Sequence, residues 1–343
     1  MGITDAIRKA FARRRLDDVG YVGDPERRPE DHTPARILAE FERQLALGFP
    51  LGLYTRTDAP WMCAAIAAAA DVRRPVAVQA DTGPSASFRG PFAPDPGLVE
   101  LCRAGRVSLF FHLPHLFDLW LPFDPSQAGR EGEQVRVPMV RMYVEYLNAL
   151  AAGFPEGPDC GVGFVVHSAG PRPPGHPAPD DRLEARFRGN LERLFDPFLG
   201  GLSRRGVRGR ILVENLVGPL TGRAAPYSLA GCAGLVRGLD PSRYGLCWDS
   251  GHSWAAGEDL SPADIDPALV GLVHMNGGPA KAGFGCGKDL HGYSELRCAA
   301  ARGTAYPWLA DPALAGIPAV FERKLYSVML KDSAWLAGER GPG

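Results

Sequence analysis

The sequence predicts an α/β fold, specifically a (β/α)8 barrel of the TIM type, and three observations carry that prediction. Short apolar runs alternate with longer helix-like ones eight times along 343 residues, which suits a closed ring better than an open sheet. The runs Ile211-Leu-Val, Gly245-Leu-Cys-Trp and Gly271-Leu-Val are apolar at consecutive positions, the pattern of strands buried on both faces. Each of these three stops at a residue able to hold a metal: Glu214, Asp249 and His274. Parallel barrels display catalytic groups at the C-terminal ends of their strands, so the pattern that gives the fold also places a metal site at its mouth.

The elements follow in order. Residues 1–17 read as a basic extension, with Arg8, Lys9 and Arg13 to Arg15, ahead of one barrel domain over 18–343. A first strand is expected over 19–23. A helix over 33–47 follows, with Thr33 as its N-cap and Pro34 at the first helical position. A second strand over 50–54 leads through Thr55 to Trp61 into an Ala-rich helix ending near Val72. From 73 to 96 the alternation fails, and the Gly/Pro/Ser-rich run 83–96 reads as an insertion outside the barrel, with no role assigned. A short helix over 97–104 precedes a third strand over 108–112, and a long helix ending near Ala152 precedes a fourth over 161–167. A helix over 180–202 leads to strand five at 210–214, followed by strand six at 244–249 and strand seven at 270–274. A glycine-rich loop over 277–288 delivers Asp289-Leu-His291, and strand eight, 318–322, ends in Glu322. A last helix over 326–337 closes the ring.

The totals narrow the possible partners. With 38 basic and 39 acidic side chains the net charge gives no general argument for a polyanionic partner. Seven scattered cysteines without a CxxC pair fit reduced thiols and a cytoplasmic setting better than a disulfide framework. No secretory signal opens the chain, and no apolar run is long enough for a bilayer. The chain therefore reads as soluble, with no membrane partner and a monomer favoured.

Collecting the strand endings gives His112, His167, Glu214, Asp249, His274 and Glu322, and the loops add His252, Asp289 and His291. Imidazole and carboxylate are the usual ligands of zinc and manganese, and a catalytic site leaves one coordination position for water or substrate. Asp249-x-x-His252 leaves a strand end and turns back, so its two groups can serve neighbouring ions. Asp289-x-His291 places both side chains on one side of an extended segment. Nine donors exceed one tetrahedral ion and suit two or three ions sharing a bridging carboxylate. Taken singly, His112 or His167 is better explained as a hydrogen-bonded structural histidine than as a ligand. Glu214 and Glu322 are not, because a buried carboxylate without a partner is costly.

The segments Val-Glu214-Asn215, Cys247-Trp-Asp249-Ser-Gly-His252-Ser-Trp-Ala-Ala-Gly257, Val-His274-Met-Asn276, Asp289-Leu-His291 and Phe-Glu322 resemble, in order and spacing, the signature of the endonuclease IV family. These class II AP endonucleases fall within the xylose-isomerase-like group of TIM barrels, and the resemblance runs from about Gly20 to Trp335. It implies three zinc ions, with Mn2+ as an alternative metal. One would be held by His112, His167 and Glu214. A second would share Glu214 with Asp249, His274 and Glu322, and a third would take His252, Asp289 and His291. It further implies hydrolysis of DNA 5′ of abasic sites in damaged double-stranded DNA, as in base-excision repair. Glu214 and Glu322 would be the catalytic pair, with Asn215 and Asn276 supporting the ligands. Gripping of the duplex would fall to Arg56, Arg130, Arg172, Arg223, Lys281 and Lys288.

The departures from that family pattern fall away from the ligands. Ala59 stands where the family has an arginine, His115 where it has a tyrosine, and Leu290 where it has an arginine between the last Asp and His. His-Pro-Gly-Ser becomes His167-Ser-Ala-Gly, and His-Leu-Asn-Asp becomes His274-Met-Asn-Gly277. The family's later Gly-x-Gly gives way to Tyr293-Ser-Glu-Leu. The relatives that isomerise or epimerise sugars and other small metabolites need only one ion, on Glu214, Asp249, His274 and Glu322. They supply the alternative reading, which the altered DNA-contact positions favour and the five additional donors oppose.

Overall fold

The structure is a computed structural model that describes residues 51–56, 76–81, 93–113, 130–168, 181–216, 228–275 and 316–321. Its strands are β1 (Leu51–Arg56), β2 (Val76–Asp81), β3 (Val107–His112), β4 (Cys160–His167), β5 (Val207–Glu214), β6 (Tyr244–Asp249), β7 (Val270–His274) and β8 (Ala319–Phe321). All neighbouring pairs are parallel, and β1 pairs with β8, so the sheet closes on itself as an eight-stranded α/β barrel. The described helices are α1 (Pro96–Arg103), α2 (Arg130–Gly153), α3 (Asp181–Ser203), α4 (Leu229–Arg237) and the short α5 (Ser250–Ala255). None of them is long and apolar enough to cross a membrane.

Strand parity sorts the core into two layers. Ala77, Phe110, Val165, Leu212, Cys247, Leu272 and Val320 face one another inside the barrel. Their sequence neighbours Val78, Phe111, Phe164, Val166, Val213 and Trp248 point outward and pack with Leu147, Phe195, Phe198 and Leu235 of the helices. Phe164 meets Phe198 edge-to-face at 5.0 Å and stacks on Phe111 at 5.8 Å, geometries that suit the aromatic quadrupole. Gly163 leaves the space that the Phe110 ring fills, since a methyl group there would overlap the ring.

Local signals explain where the helices begin and end. Asp95 caps α1 by accepting from the Leu98 amide at 3.1 Å, Pro96 opens the helix, and Gly105 at φ 68° ends it. Ser228 caps α4 through the Gly231 amide at 3.0 Å. On the face of the barrel away from the site, Gly206 has φ 74° and its carbonyl accepts from the Cys160 amide at 3.0 Å. A side chain there would strike the Gly157 carbonyl oxygen. Gly206→Ala is accordingly expected to destabilise the fold by about 2 kcal/mol or more from the left-handed backbone and the clash together. Urea denaturation measures this, and an unchanged midpoint would contradict it.

Three expectations need correction. The stretch 73–96, read as an insertion outside the barrel, contains β2, a full member of the sheet paired with β1 and β3. Arg73-Arg74-Pro75 obscures its start, and Gln79 interrupts an apolar run because it points into the interior of the ring. The strand expected over 19–23 lies outside the described residues, and the ring closes on β1 without it. The segment after strand five was given no helix, yet α4 buries Leu229, Cys232, Ala233, Leu235 and Val236. Its small residues, Gly231 and Gly234, weaken the helix signal in the sequence.

The register contains one irregularity that positions the site. Leu246 pairs with Val270 but Cys247 pairs with Leu272, so Gly271 is an extra residue in β7. Val270 therefore joins the outer layer while Leu272 faces inward, with His274 two residues further on the same parity. Glycine is needed here, because a Cβ at 271 would lie 2.6 Å from Leu212 Cδ2.

Candidate metal centre

Two residues beyond the inward apolar layer, the strands end in a polar layer. His112, Glu214, Asp249 and His274 are fully buried there, and His252 is 4 % exposed. The His167 side chain, at 9 %, marks the more open side. His167 is the register partner of Glu214, and Asp249 of His274, so two strand pairings alone bring four of these side chains together.

Glu214 is the centre of the cluster. Its Oε2 lies 3.1 Å from His112 Nε2 and 3.5 Å from His167 Nε2. Its Oε1 lies 3.2 Å from His252 Nδ1 and 3.4 Å from His274 Nδ1. Burial alone would raise the Glu214 carboxyl, but the imidazoles of His274 and His167, with those of His112 and His252 beside it, overcome it and hold the group well below the usual carboxylate range. The group is a carboxylate with imidazole pairs on both oxygens.

Backbone and side-chain partners fix the orientation of the rings. His112 Nδ1 donates to the Leu113 carbonyl at 2.8 Å, so in the neutral ring Nε2 carries the lone pair and turns it toward Glu214. His252 Nδ1 donates to the Asn215 carbonyl at 2.9 Å, which leaves Nε2 as the atom that this ring can offer a metal. Asp249 divides its work between its two oxygens. Oδ1 accepts from the His252 amide at 2.7 Å and caps α5, while Oδ2 lies 3.7 Å from His274 Nδ1.

Asn215 locks this arrangement from behind. Its Oδ1 accepts from the Asp249 amide at 2.7 Å, and its Nδ2 donates to the Asp249 carbonyl and to Ser253 Oγ, both at 3.0 Å. Ser253 Oγ also accepts from Trp248 Nε1 at 3.1 Å, and its hydroxyl bonds Glu258. Glu258 Oε1 accepts from the Leu229 amide at 2.7 Å, at the start of α4. One chain of hydrogen bonds thus joins the ends of β5 and β6 to α4 and α5.

The donor set fits divalent metal. Three groups bring ligand atoms within 4.8 Å of one another: His112, His167 and Glu214; Glu214, Asp249 and His252; and Glu214, Cys247 and His274. Glu214 Oε1 is buried and has no hydrogen-bond acceptor role filled among the described residues, as expected of an oxygen reserved for a cation. Neutral imidazoles turning lone pairs toward a carboxylate repel it unless positive charge lies between them. Cys247 was not singled out from sequence. Burial pushes its thiol up to about 12, so it presents SH rather than thiolate at neutral pH.

Of the nine predicted ligands, the structure brings His112, His167, Glu214, Asp249, His252 and His274 together around one carboxylate. Asn215, predicted as a supporting residue, touches the Asp249 backbone as described. Asp289, His291, Glu322 and Asn276 lie outside the described residues, as do Arg172, Arg223, Lys281 and Lys288. Arg56 ends β1 and Arg130 opens α2. Sequence reasoning missed Gln79, whose Oε1 lies 2.8 Å from His274 Nε2. The available signal was a lone polar residue in Val-Ala-Val-Gln79-Ala.

No family model matches the chain. A protein named probable endonuclease 4 from Mycobacterium tuberculosis (strain ATCC 25177 / H37Ra) is 26% identical over 228 residues, covering 65% of this chain and 77% of the relative. Another of that name, from Geotalea daltonii, is 30% identical over 129 residues, covering 33% of this chain and 43% of its own. Among solved structures, a 3-keto-D-glucoside 4-epimerase from E. coli aligns at 15% identity and TM-score 0.45, over 84% of this chain and 99% of that one. A D-psicose 3-epimerase from Clostridium cellulolyticum H10 aligns at 14% identity and TM-score 0.47, over 85% and 98%. The chain is thus an α/β barrel similar in sequence to proteins named probable endonuclease 4, with a buried His/Glu/Asp cluster at its strand ends that could bind metal.

Proposed function

We propose that this protein is a zinc-dependent phosphodiesterase of the AP-endonuclease type that cuts the DNA backbone 5′ of abasic sites. The observation that carries the reading is the Glu214 carboxylate, faced on Oε2 by His112 and His167 and on Oε1 by His252 and His274. Single-ion chemistry needs one face of that carboxylate, whereas a bridging role needs both. The likeness to probable endonuclease 4 over 65% of the chain supports the same reading.

In this proposal His112, His167 and Glu214 hold one ion, Glu214, Asp249, His274 and Glu322 a second, and His252, Asp289 and His291 a third. Divalent ions so placed would acidify a water and neutralise charge on phosphate and on the departing 3′ oxygen. The residues themselves supply orientation. Glu214 and Glu322 direct the attacking water, Asn215 fixes the Asp249 carboxylate through its backbone, and Asn276 supports the ligands. Arg56, Arg130, Arg172, Arg223, Lys281 and Lys288 would meet backbone phosphates as separate charges, making binding fall with salt. The barrel would extend as one domain over 18–343, with 1–17 as a basic appendage.

Metal analysis of the purified protein, paired with a duplex carrying one abasic site, tests the reading. About three ions per chain are expected, the number that nine donors fill at three or four each. Cleavage should stop on chelation and return with zinc. One ion per chain with the duplex left intact would remove the proposal and assign a sugar or metabolite isomerase or epimerase acting through Glu214, Asp249, His274 and Glu322.

A further inference from the structure

We propose that Gln79 is a positioning residue for the metal centre: its amide oxygen holds the Nε2 proton of His274 and so makes Nδ1 the ring atom presented to a metal. The inference rests on the metal reading of the Glu214 cluster and adds to it a residue on a strand that contributes none of the proposed ligands.

Gln79 lies on β2 and His274 on β7, strands separated in the ring by β1 and β8, so the contact crosses the interior of the barrel. Both side chains have no solvent exposure. On the side away from Glu214 the interior is apolar, with Ala77 and Leu272 two residues back on the same two strands and Phe110 and Val320 as the register partners of Gln79 and His274. An amide placed among such residues is costly when its polar atoms are unmatched. A glutamine at this position therefore needs a specific partner, and His274 Nε2 at 2.8 Å is that partner.

A neutral imidazole has one donor and one acceptor nitrogen, so whatever accepts from one nitrogen sets the role of the other. An amide oxygen on Nε2 leaves the lone pair on Nδ1. That atom lies 3.4 Å from Glu214 Oε1 and 3.7 Å from Asp249 Oδ2, which makes one nitrogen and two oxygens a converging donor set. His112 and His252 are fixed by the carbonyls of Leu113 and Asn215, which can only accept. His274 is held by an amide, and an amide can turn over. Rotated by a half-turn, its NH2 would donate to Nε2 and drive the ring proton onto Nδ1, closing the donor set to a cation. The other end of the amide, Nε2 of Gln79, has no acceptor among the described residues to oppose either orientation.

Zinc affinity by chelator competition and the visible spectrum of the Co(II)-loaded protein test this on the full chain, with Gln79→Met and Gln79→Glu as variants. Methionine keeps the volume and removes the acceptor; glutamate keeps the acceptor. Gln79→Met is expected to weaken one class of ion by about 10–100-fold, the usual effect of removing a ligand's hydrogen-bond partner, and to change the cobalt bands. Gln79→Glu should retain wild-type affinity to within a few-fold. A readout that needs no variant of Gln79 is the 15N shift pattern of the metal-loaded wild type, with the His274 signals identified by their loss in His274→Gln. It should show Nε2 protonated and Nδ1 coordinated. Coordination through Nε2, or a folded Gln79→Met protein with wild-type affinity and spectrum, would overturn the inference while leaving the metal reading intact. A wild-type protein that takes up no ion would remove the metal reading itself.

Discussion

Under the proposed function, Glu214→Gln is expected to abolish most metal binding and abasic-site cleavage together. The substitution preserves shape and removes the single negative charge that His112, His167, His252 and His274 face within 3.5 Å. Removing one partner from a buried ionic cluster typically costs about 3–5 kcal/mol. At about 1.4 kcal/mol per decade, that is roughly 10² to 10⁴-fold weaker binding of the ions that share the carboxylate. Metal content by elemental analysis after gel filtration gives the direct readout. A third ion resting on His252, Asp289 and His291 should survive better than the other two. Full metal content in Glu214→Gln would mean that the carboxylate is not a bridge.

Asn215→Leu should produce the largest loss of stability among the supporting residues. Its side-chain amide pairs with both the amide and the carbonyl of Asp249, at 2.7 and 3.0 Å, in a fully buried environment. Leucine matches its size and leaves both backbone groups and Ser253 Oγ without that partner. Ser253 Oγ keeps its bond from Trp248, so at about 1–3 kcal/mol for each of the two stranded Asp249 backbone groups the expected loss is roughly 2–6 kcal/mol. Equilibrium urea unfolding measures it. Metal affinity should fall in parallel, because the Asp249 backbone carries the carboxylate that faces His274. A stability change below about 1 kcal/mol would show that water or a backbone shift satisfies those groups.

The parts of the site that could be read in the sequence are those whose chemistry conflicts with burial. Glu214, Asp249 and His274 each end a run of apolar residues, and a charged or imidazole group in that position needs a partner. The parts that could not be read depend on pairing between distant strands. Gln79 meets His274 across 195 positions, and nothing near residue 79 announces that contact. The fold followed the same division. The strands from β3 to β7 each carry an apolar run just before their C-terminal end. β2 was hidden behind Arg73-Arg74-Pro75 and by its inward glutamine, and α4 by glycines that weaken a helix signal without preventing burial. The role of Asn215 as a supporting residue was expected from family resemblance; its bidentate grip on the Asp249 backbone required coordinates.

The additional residue at Gly271 separates two halves of β7 that obey different facing rules. Below it the strand serves the scaffold, and above it the strand serves the reactive rim. Substitutions at Val270 are therefore felt by the helical shell without redirecting the imidazole four positions later. A single-residue insertion between 272 and 274 would do the reverse: the scaffold contact at 270 would stay and His274 would swing into the greasy layer outside the ring. Length, more than side-chain identity, is the property of this short segment that drift can least alter.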